Sequence, residues 1–188
     1  MMLLVALVFG VGPIAYYFWR DTQMRTPSRR WPKLSGPLGL AYEANPPRMS
    51  GNWNGRRTAV EAAPGGATLT VWLPRPTRLR VECGLKDAVA RRAGVVVPDP
   101  VEPLDPAFRD RLLARCSEKA AGPVIFDAAL QQRLAALPDV DLIGAESRVV
   151  WTVPLVADID RVEATLAALC AVADGLEQFP QTGGNPRA

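Results

Sequence analysis

The chain has no histidine among its 188 residues. That removes the side chain that most often acts as a general base near neutral pH and most often ligates transition metals. Cysteine is scarce as well. Cys83, Cys116 and Cys170 are odd in number and form no Cys-x-x-Cys pair, which argues against a disulfide framework and fits a reducing compartment. The signatures of nucleotide and hydrolase chemistry are missing: there is no Gly-x-x-x-x-Gly-Lys-[Ser/Thr] loop, no Gly-x-Gly-x-x-Gly after a strand and no Gly-x-Ser-x-Gly elbow. Paired carboxylates at Asp139/Asp141 and Asp158/Asp160 fall at element boundaries, where capping and solvation are their usual work. The sequence therefore nominates no catalytic, cofactor-binding or metal-binding residue, and reads as a non-enzyme more readily than as an enzyme.

Charge is also lacking at the start, where no charged side chain precedes Arg20. At about 1.5 Å per helical residue, residues 1–19 would reach roughly 28 Å, the thickness of a bilayer's hydrocarbon core. A single transmembrane helix is the expectation. Nothing basic precedes Leu3 and no small-x-small site follows, so the stretch reads as a retained anchor rather than a cleaved signal. Tyr16, Tyr17 and Trp19 suit the headgroup interface. Arg20, Arg25, Arg29, Arg30 and Lys33 follow, opposed only by Asp21. By the positive-inside rule this run puts the C-terminal domain in the cytoplasm, on a bacterial inner membrane, with the lipid bilayer as first partner. The same run, with Pro27 and Pro32, reads as a linker. The expected organisation is a span at 1–19, a basic juxtamembrane linker at 20–36, one domain at 37–179 and a flexible tail at 180–188.

Charge is unevenly spread over the remainder. Residues 36–92 hold nine basic and four acidic side chains, and residues 93–188 hold eight and fourteen. Arg75, Arg78, Arg80, Arg91 and Arg92 are scattered among apolar residues rather than interleaved with stacking aromatics, so nucleic acid is not the expected partner. They are instead candidates for electrostatic contact with phospholipid or with an acidic partner.

Alternation supplies the strands. Asn54-Gly55 predicts a tight hairpin between a strand at 49–53 and one at 56–62. In the latter Arg56, Thr58, Val60 and Ala62 face one way and Arg57, Ala59 and Glu61 the other. Leu69, Val71 and Leu73 alternate with Thr68, Thr70 and Trp72, and Leu79 and Val81 with Arg78, Arg80 and Glu82. With a short strand at 38–43, these predict an antiparallel meander of four or five strands. Residues 84–92 read as a short helix and 97–106 as an ordered loop. Residues 108–117 fit two patterns, a helix behind Asp105 and Pro106 and a strand of period two. A helix is predicted over 124–137 and two strands over 140–143 and 148–153. Asp158 should cap a final helix with Ile159, Val162, Leu166, Leu169, Cys170 and Ala173 as its apolar stripe.

A membrane span, then LAYEANPPRMSGNWNGRR at 40–57, then Asp105-Pro106-Ala107-Phe108, an Ala/Leu-rich helix, a hairpin and a closing helix: this layout resembles uncharacterised single-pass membrane proteins of GC-rich, myxobacteria-like bacteria. The resemblance rests on the Gly-x-x-x-Gly-Arg hairpin from Gly51 to Arg56 and on the Asp-Pro-x-Phe step. It implies strand for residues 108–117 and supplies no catalytic residue.

The expected fold is therefore α+β, with one transmembrane helix before a mainly antiparallel sheet and helices packed on one side. The expected function is a non-catalytic accessory subunit of an inner-membrane complex, docking by its span and a basic face against other membrane-protein subunits. The alternative is a tethered enzyme or ligand sensor with a pocket between the sheet and the final helix, holding Asp127, Asp158 or Arg148.

Overall fold

A computed structural model describes residues 27–63, 66–92, 99–154 and 158–180. Residues 27–38 form α1, which ends where a glycine is required. Gly39 has φ +65°, Leu40 N–H donates to the Ser35 carbonyl at 2.9 Å and Gly39 N–H to that of Gly36 at 3.0 Å, the paired bonds of a Schellman stop. Four strands follow: β1 Ala41–Ala44, β2 Pro47–Trp53, β3 Arg56–Ala63 and β4 Gly66–Trp72. The β2–β3 turn is the Asn54-Gly55 hairpin, both residues in the left-handed region at φ 50° and 78°. After β5 Arg80–Leu85 come α2 Lys86–Ala90, β6 Asp99–Pro100, α3 Pro106–Arg111 and β7 Leu112–Cys116. The chain closes with α4 Gly122–Ile125, α5 Ala128–Ala136, β8 Asp141–Ala145, β9 Arg148–Val153 and α6 Ile159–Glu177.

All nine strands join one antiparallel sheet in the order β1-β2-β3-β4-β9-β8-β5-β7-β6. The meander therefore stops at β4. The short connection from β4 does not return beside it but passes over the tip of the β8–β9 hairpin, where Leu73 N–H donates to the Ser147 carbonyl at 2.8 Å and Thr77 N–H to that of Glu146 at 2.6 Å. β5 lands three places away, and β9 takes the position against β4.

Residues aligned across a sheet share a face. The register puts Tyr42, Met49, Val60, Leu69, Trp151, Leu142, Cys83 and Ala114 in one row, all buried except the half-buried Tyr42. Onto this face packs α6, which buries Val162, Leu166, Leu169, Ala173 and Leu176 along one side. Each fully buried leucine contributes about 1.5–3 kcal/mol before the entropy of ordering it. Gly175 lets α4 come close, since a Cβ there would lie 3.0 Å from the Ile125 Cα. Trp31 of α1 and Phe108 of α3 join the same core.

Several expectations are corrected. The fold class was expected to open with a transmembrane helix. Instead the described chain is an α+β domain on a nine-stranded sheet, and among the described residues no helix is long and apolar enough to cross a membrane. α6 has the length, at 19 residues, but carries Asp160, Arg161, Glu163, Asp174 and Glu177. Residues 1–19 lie outside the described residues. Residues 27–36, read as linker, are helical, and Trp31 is fully buried. Helices are not confined to one side, because Val89 of α2 packs where a side chain on Gly84 would project, on the opposite face.

Residues 108–117 divide between their two readings. Asp105 caps α3 by accepting from Phe108 N–H at 2.7 Å, and the chain turns to strand at Leu112. The helix predicted over 124–137 is two helices, because Asp127 caps a new start, accepting from Leu130 N–H at 2.8 Å. The buried side of α5 is Leu130, Gln131 and Leu134, whereas Ala128, Ala129 and Ala136, which one continuous apolar side with Ile125 would have buried, are exposed.

Candidate interaction face

The second face of the sheet is where polar and charged residues collect. Its central positions read Ser50, Ala59, Thr70, Val150, Ile143, Glu82 and Arg115 across the strands. Among the described residues only α2 lies on this side, at the β5–β7 end. An antiparallel sheet can leave one face to water; here Ala59, Thr70 and Glu82 are buried at its centre and the other four are half-buried, so the exposed groups stand toward its edges. Its content is less ordinary.

Five arginines project from it: Arg48, Arg57, Arg80, Arg115 and Arg148. Arg48 Nε lies 3.4 Å from Glu61 Oε1, and Arg80 Nη2 2.7 Å from Glu82 Oε1. Arg92 reaches the same side and pairs with Asp141. Arg57 and Arg148 are exposed and, among the described residues, meet no carboxylate. Their positions are related. Trp72 is the direct cross-strand partner of Arg148, and the pairing of Thr58 with Val71 sets Arg57 beside Trp72 on the other side. The Arg57 guanidinium carbon sits 4.7 Å from the Trp72 ring centroid, a cation–π contact worth about 0.5–1 kcal/mol at an exposed site. The row continues from Arg148 through Ala145 to Arg80. Hollows of about 290 Å³ and 380 Å³ flank it, the first beside Arg48 and Arg57, the second among Arg80, Ile143, Ala145, Glu146, Arg148 and Val150.

A cleft of about 590 Å³ opens at one end of the row, lined by Arg56, Arg57, Trp72, Pro74, Asp174 and Glu177. It joins the β2–β3 turn to the C-terminal end of α6. Arg56 donates to both Glu177 and Asp174, and the bond to Glu177 is the main cause holding its guanidinium above the usual arginine range. Both carboxylates are thereby engaged, and the cleft walls contain no thiol or hydroxyl.

The three thiols are free and buried. Burial pushes Cys83 and Cys116 up and Cys170 up to about 11, the direction opposite to that of an activated nucleophile. Asp127 and Asp158 cap α5 and α6, and Arg148 lies on the open face, so the three do not converge on one pocket. Asp139 accepts from Arg161 at 2.9 Å. Among the described residues no three His, Cys, Asp or Glu side chains gather as metal ligands.

Of the arginines nominated from sequence, only Arg80 belongs to the row. Arg75 is exposed in the β4–β5 connection, Arg78 pairs with Glu118 at 3.2 Å, Arg91 is exposed after α2, and Arg92 is spent on Asp141. Arg29, Arg30 and Lys33 are exposed on α1. Tyr16, Tyr17, Trp19, Arg20 and Arg25 lie outside the described residues. The sequence expectations did not include Arg48, Arg57 or Trp72 as site residues, and placed Arg148 in a pocket beside the final helix rather than on this face. A signal was present in the alternation that placed Arg57 and Trp72 away from the core.

Fold and site together define a class: an α+β domain with one sheet face closed by helices and the other presenting arginines around a tryptophan. No protein-family model matches the chain, and no curated protein matches it. In fold the chain is similar to the crystal structure of the mycobacterial trehalose monomycolate transport factor A, TtfA, with a TM-score of 0.65 at 12% identity. The likeness covers 85% of this chain and 99% of that one, and it is a likeness of fold.

Proposed function

We propose that the domain is a non-catalytic accessory subunit of a transport-associated assembly and that it joins its partners through the open sheet face. The observation carrying this reading is the pair Arg57 and Arg148, exposed on either side of Trp72 with no carboxylate of their own among the described residues. Exposed aromatic and arginine side chains are the types most often found at the energetic centre of protein interfaces. The fold shared with a transport factor supports the transport setting.

The same proposal sets the domain on the cytoplasmic side of a bacterial inner membrane, where the basic run through Arg29, Arg30 and Lys33 would gain from anionic lipid. Mild-detergent extraction followed by native electrophoresis and mass spectrometry tests the subunit reading. Co-migration with a defined set of membrane transport proteins is the expected result, and migration as a lone 20.3 kDa species would overturn it. Protease digestion of spheroplasts tests the location, since a cytoplasmic domain stays intact until lysis. The 590 Å³ cleft favours a second reading, a ligand-sensing domain. A thermal-shift screen of small metabolites would reveal it as a stabilisation lost in Trp72→Ala.

A further inference from the structure

We infer that the row Arg57, Trp72, Arg148, Ala145, Arg80 is the seat of an acidic amphipathic helix belonging to a partner protein, laid across the strands with carboxylates at seven-residue spacing. This rests on the accessory-subunit reading and adds the chemistry of the partner. The row crosses β3, β4, β9, β8 and β5 in spatial order. Its arginines stand on every second strand.

Neighbouring strands are about 4.8 Å apart, so the backbone positions from which successive arginines project are separated by about 9.6 Å, with the Arg57 guanidinium leaning toward β4 over Trp72. Seven residues of α-helix rise about 10.5 Å and complete nearly two turns. Side chains at i, i+7 and i+14 on one helical face therefore meet Arg57, Arg148 and Arg80 in turn. An extended segment fits poorly. At about 3.3 Å per residue it takes three residues to cover one step, which turns successive side chains to opposite faces. Trp72 and Ala145, between the arginines, would receive the residues at i+3 or i+4 and at i+10 or i+11, which should be apolar. Val150 and Ile143, half-buried beside the row, extend that apolar floor.

The occupant is a protein segment rather than a lipid surface because the cations of the row are all arginines, rooted at places that the strand register sets. No strand of the sheet contains a lysine. An arginine fork takes a carboxylate through two parallel bonds at a defined place, whereas attraction to a bilayer depends on the number of charges near it. Glu82 already holds Arg80 at 2.7 Å, so Arg57 and Arg148 are the principal anchors.

The test uses the full chain and two labelled twenty-residue helical peptides of one composition. One carries glutamates at i, i+7 and i+14, the other at i, i+5 and i+10. Fluorescence anisotropy should give the first at least tenfold tighter binding, and Arg57→Ala with Arg148→Ala, both exposed changes that leave the core untouched, should abolish the difference. Equal affinities, or a preference that survives the double substitution, would overturn the inference. Two further patterns count against it: arginine-dependent adhesion to phosphatidylglycerol vesicles with no peptide preference, which assigns the face to a membrane surface, and arginine-dependent self-association with no preference, which assigns it to a second copy. If native electrophoresis shows wild type and double variant co-migrating with the same membrane proteins, the helix seat fails and the subunit reading stands. A clear peptide preference in a chain that migrates alone from membranes does the opposite, upholding the helix seat and removing the subunit reading.

Discussion

The two faces of this sheet are built from the same strands, yet one side chain in two serves an interior and its neighbour serves a surface. On the covered side Leu69, Trp151 and Leu142 lie in line beneath α6, and specificity comes from shape. On the open side Arg57 lies over the Trp72 ring with Arg148 across from it, and specificity comes from the placement of charge. The alternation of a β-strand lets one segment hold the fold together and advertise a surface, each face mutable with little effect on the other.

The comparison can be broken most forcefully at the covered face. Trp151→Ala empties a fully buried site and removes an indole N–H bond to the Asp139 carbonyl at 3.0 Å, so urea denaturation should show a loss of about 3–5 kcal/mol. Overfilling the same face comes next. A Cβ at Gly144 would lie 2.8 Å from both Leu176 Cδ1 and Val81 Cγ2, and Gly144→Ala should cost about 1–3 kcal/mol in the same assay.

The thiols provide a graded probe of how closed that face is. Their native pKa values are raised by burial, Cys170 to about 11, so the unfolded chain loses these protons first as pH rises. Their contribution to stability is intact below the unfolded thiol range near about 8.5 and is lost as pH climbs through the native values. Urea midpoints should fall from pH 8 to pH 11, less steeply in Cys83→Ala, and a thiol reagent should modify all three cysteines only after unfolding. The smallest effect belongs to the open face. Arg148→Ala should move stability by no more than about 0.5 kcal/mol while removing the partner from detergent-extracted complexes. A large loss of stability there would mean that the two faces are not independent.

What the sequence revealed and concealed divides along a similar line. Local features were legible: the Asn54-Gly55 hairpin, the Asp158 cap, which accepts from Asp160 N–H at 3.2 Å, the stripe of α6 and the alternation in β3 and β4. Each is decided by residues within a few positions of one another. Strand order was not legible, because β9 and β8 enter between β4 and β5 from far along the chain, and short connections favour adjacency unless something occupies the gap.

The α4–α5 break was visible only as Asp127. Gln131, fully buried, settles it by donating to the Glu102 and Phe126 carbonyls and accepting from Leu104 and Asp105 N–H, contacts no periodicity announces. The candidate site suffered the same blindness. Arg57, Trp72 and Arg148 are scattered in sequence and become a row only through lateral register. The nominated arginines were grouped by nearness in sequence, which the sheet does not respect.

The crossing of the β4–β5 connection over the β8–β9 tip has a consequence for synthesis. Without residues 141–153 no strand links β4 to β5, so β1–β4 and β5–β7 could pair only as two separate groups, each with an unpaired inner edge. The late hairpin is a keystone: pairing with β4 on one flank and β5 on the other, it turns two half-walls into one. A nascent chain stalled before it arrives exposes both edges to whatever strand is nearest, and the cell's chaperones would meet this domain at that stage of its assembly.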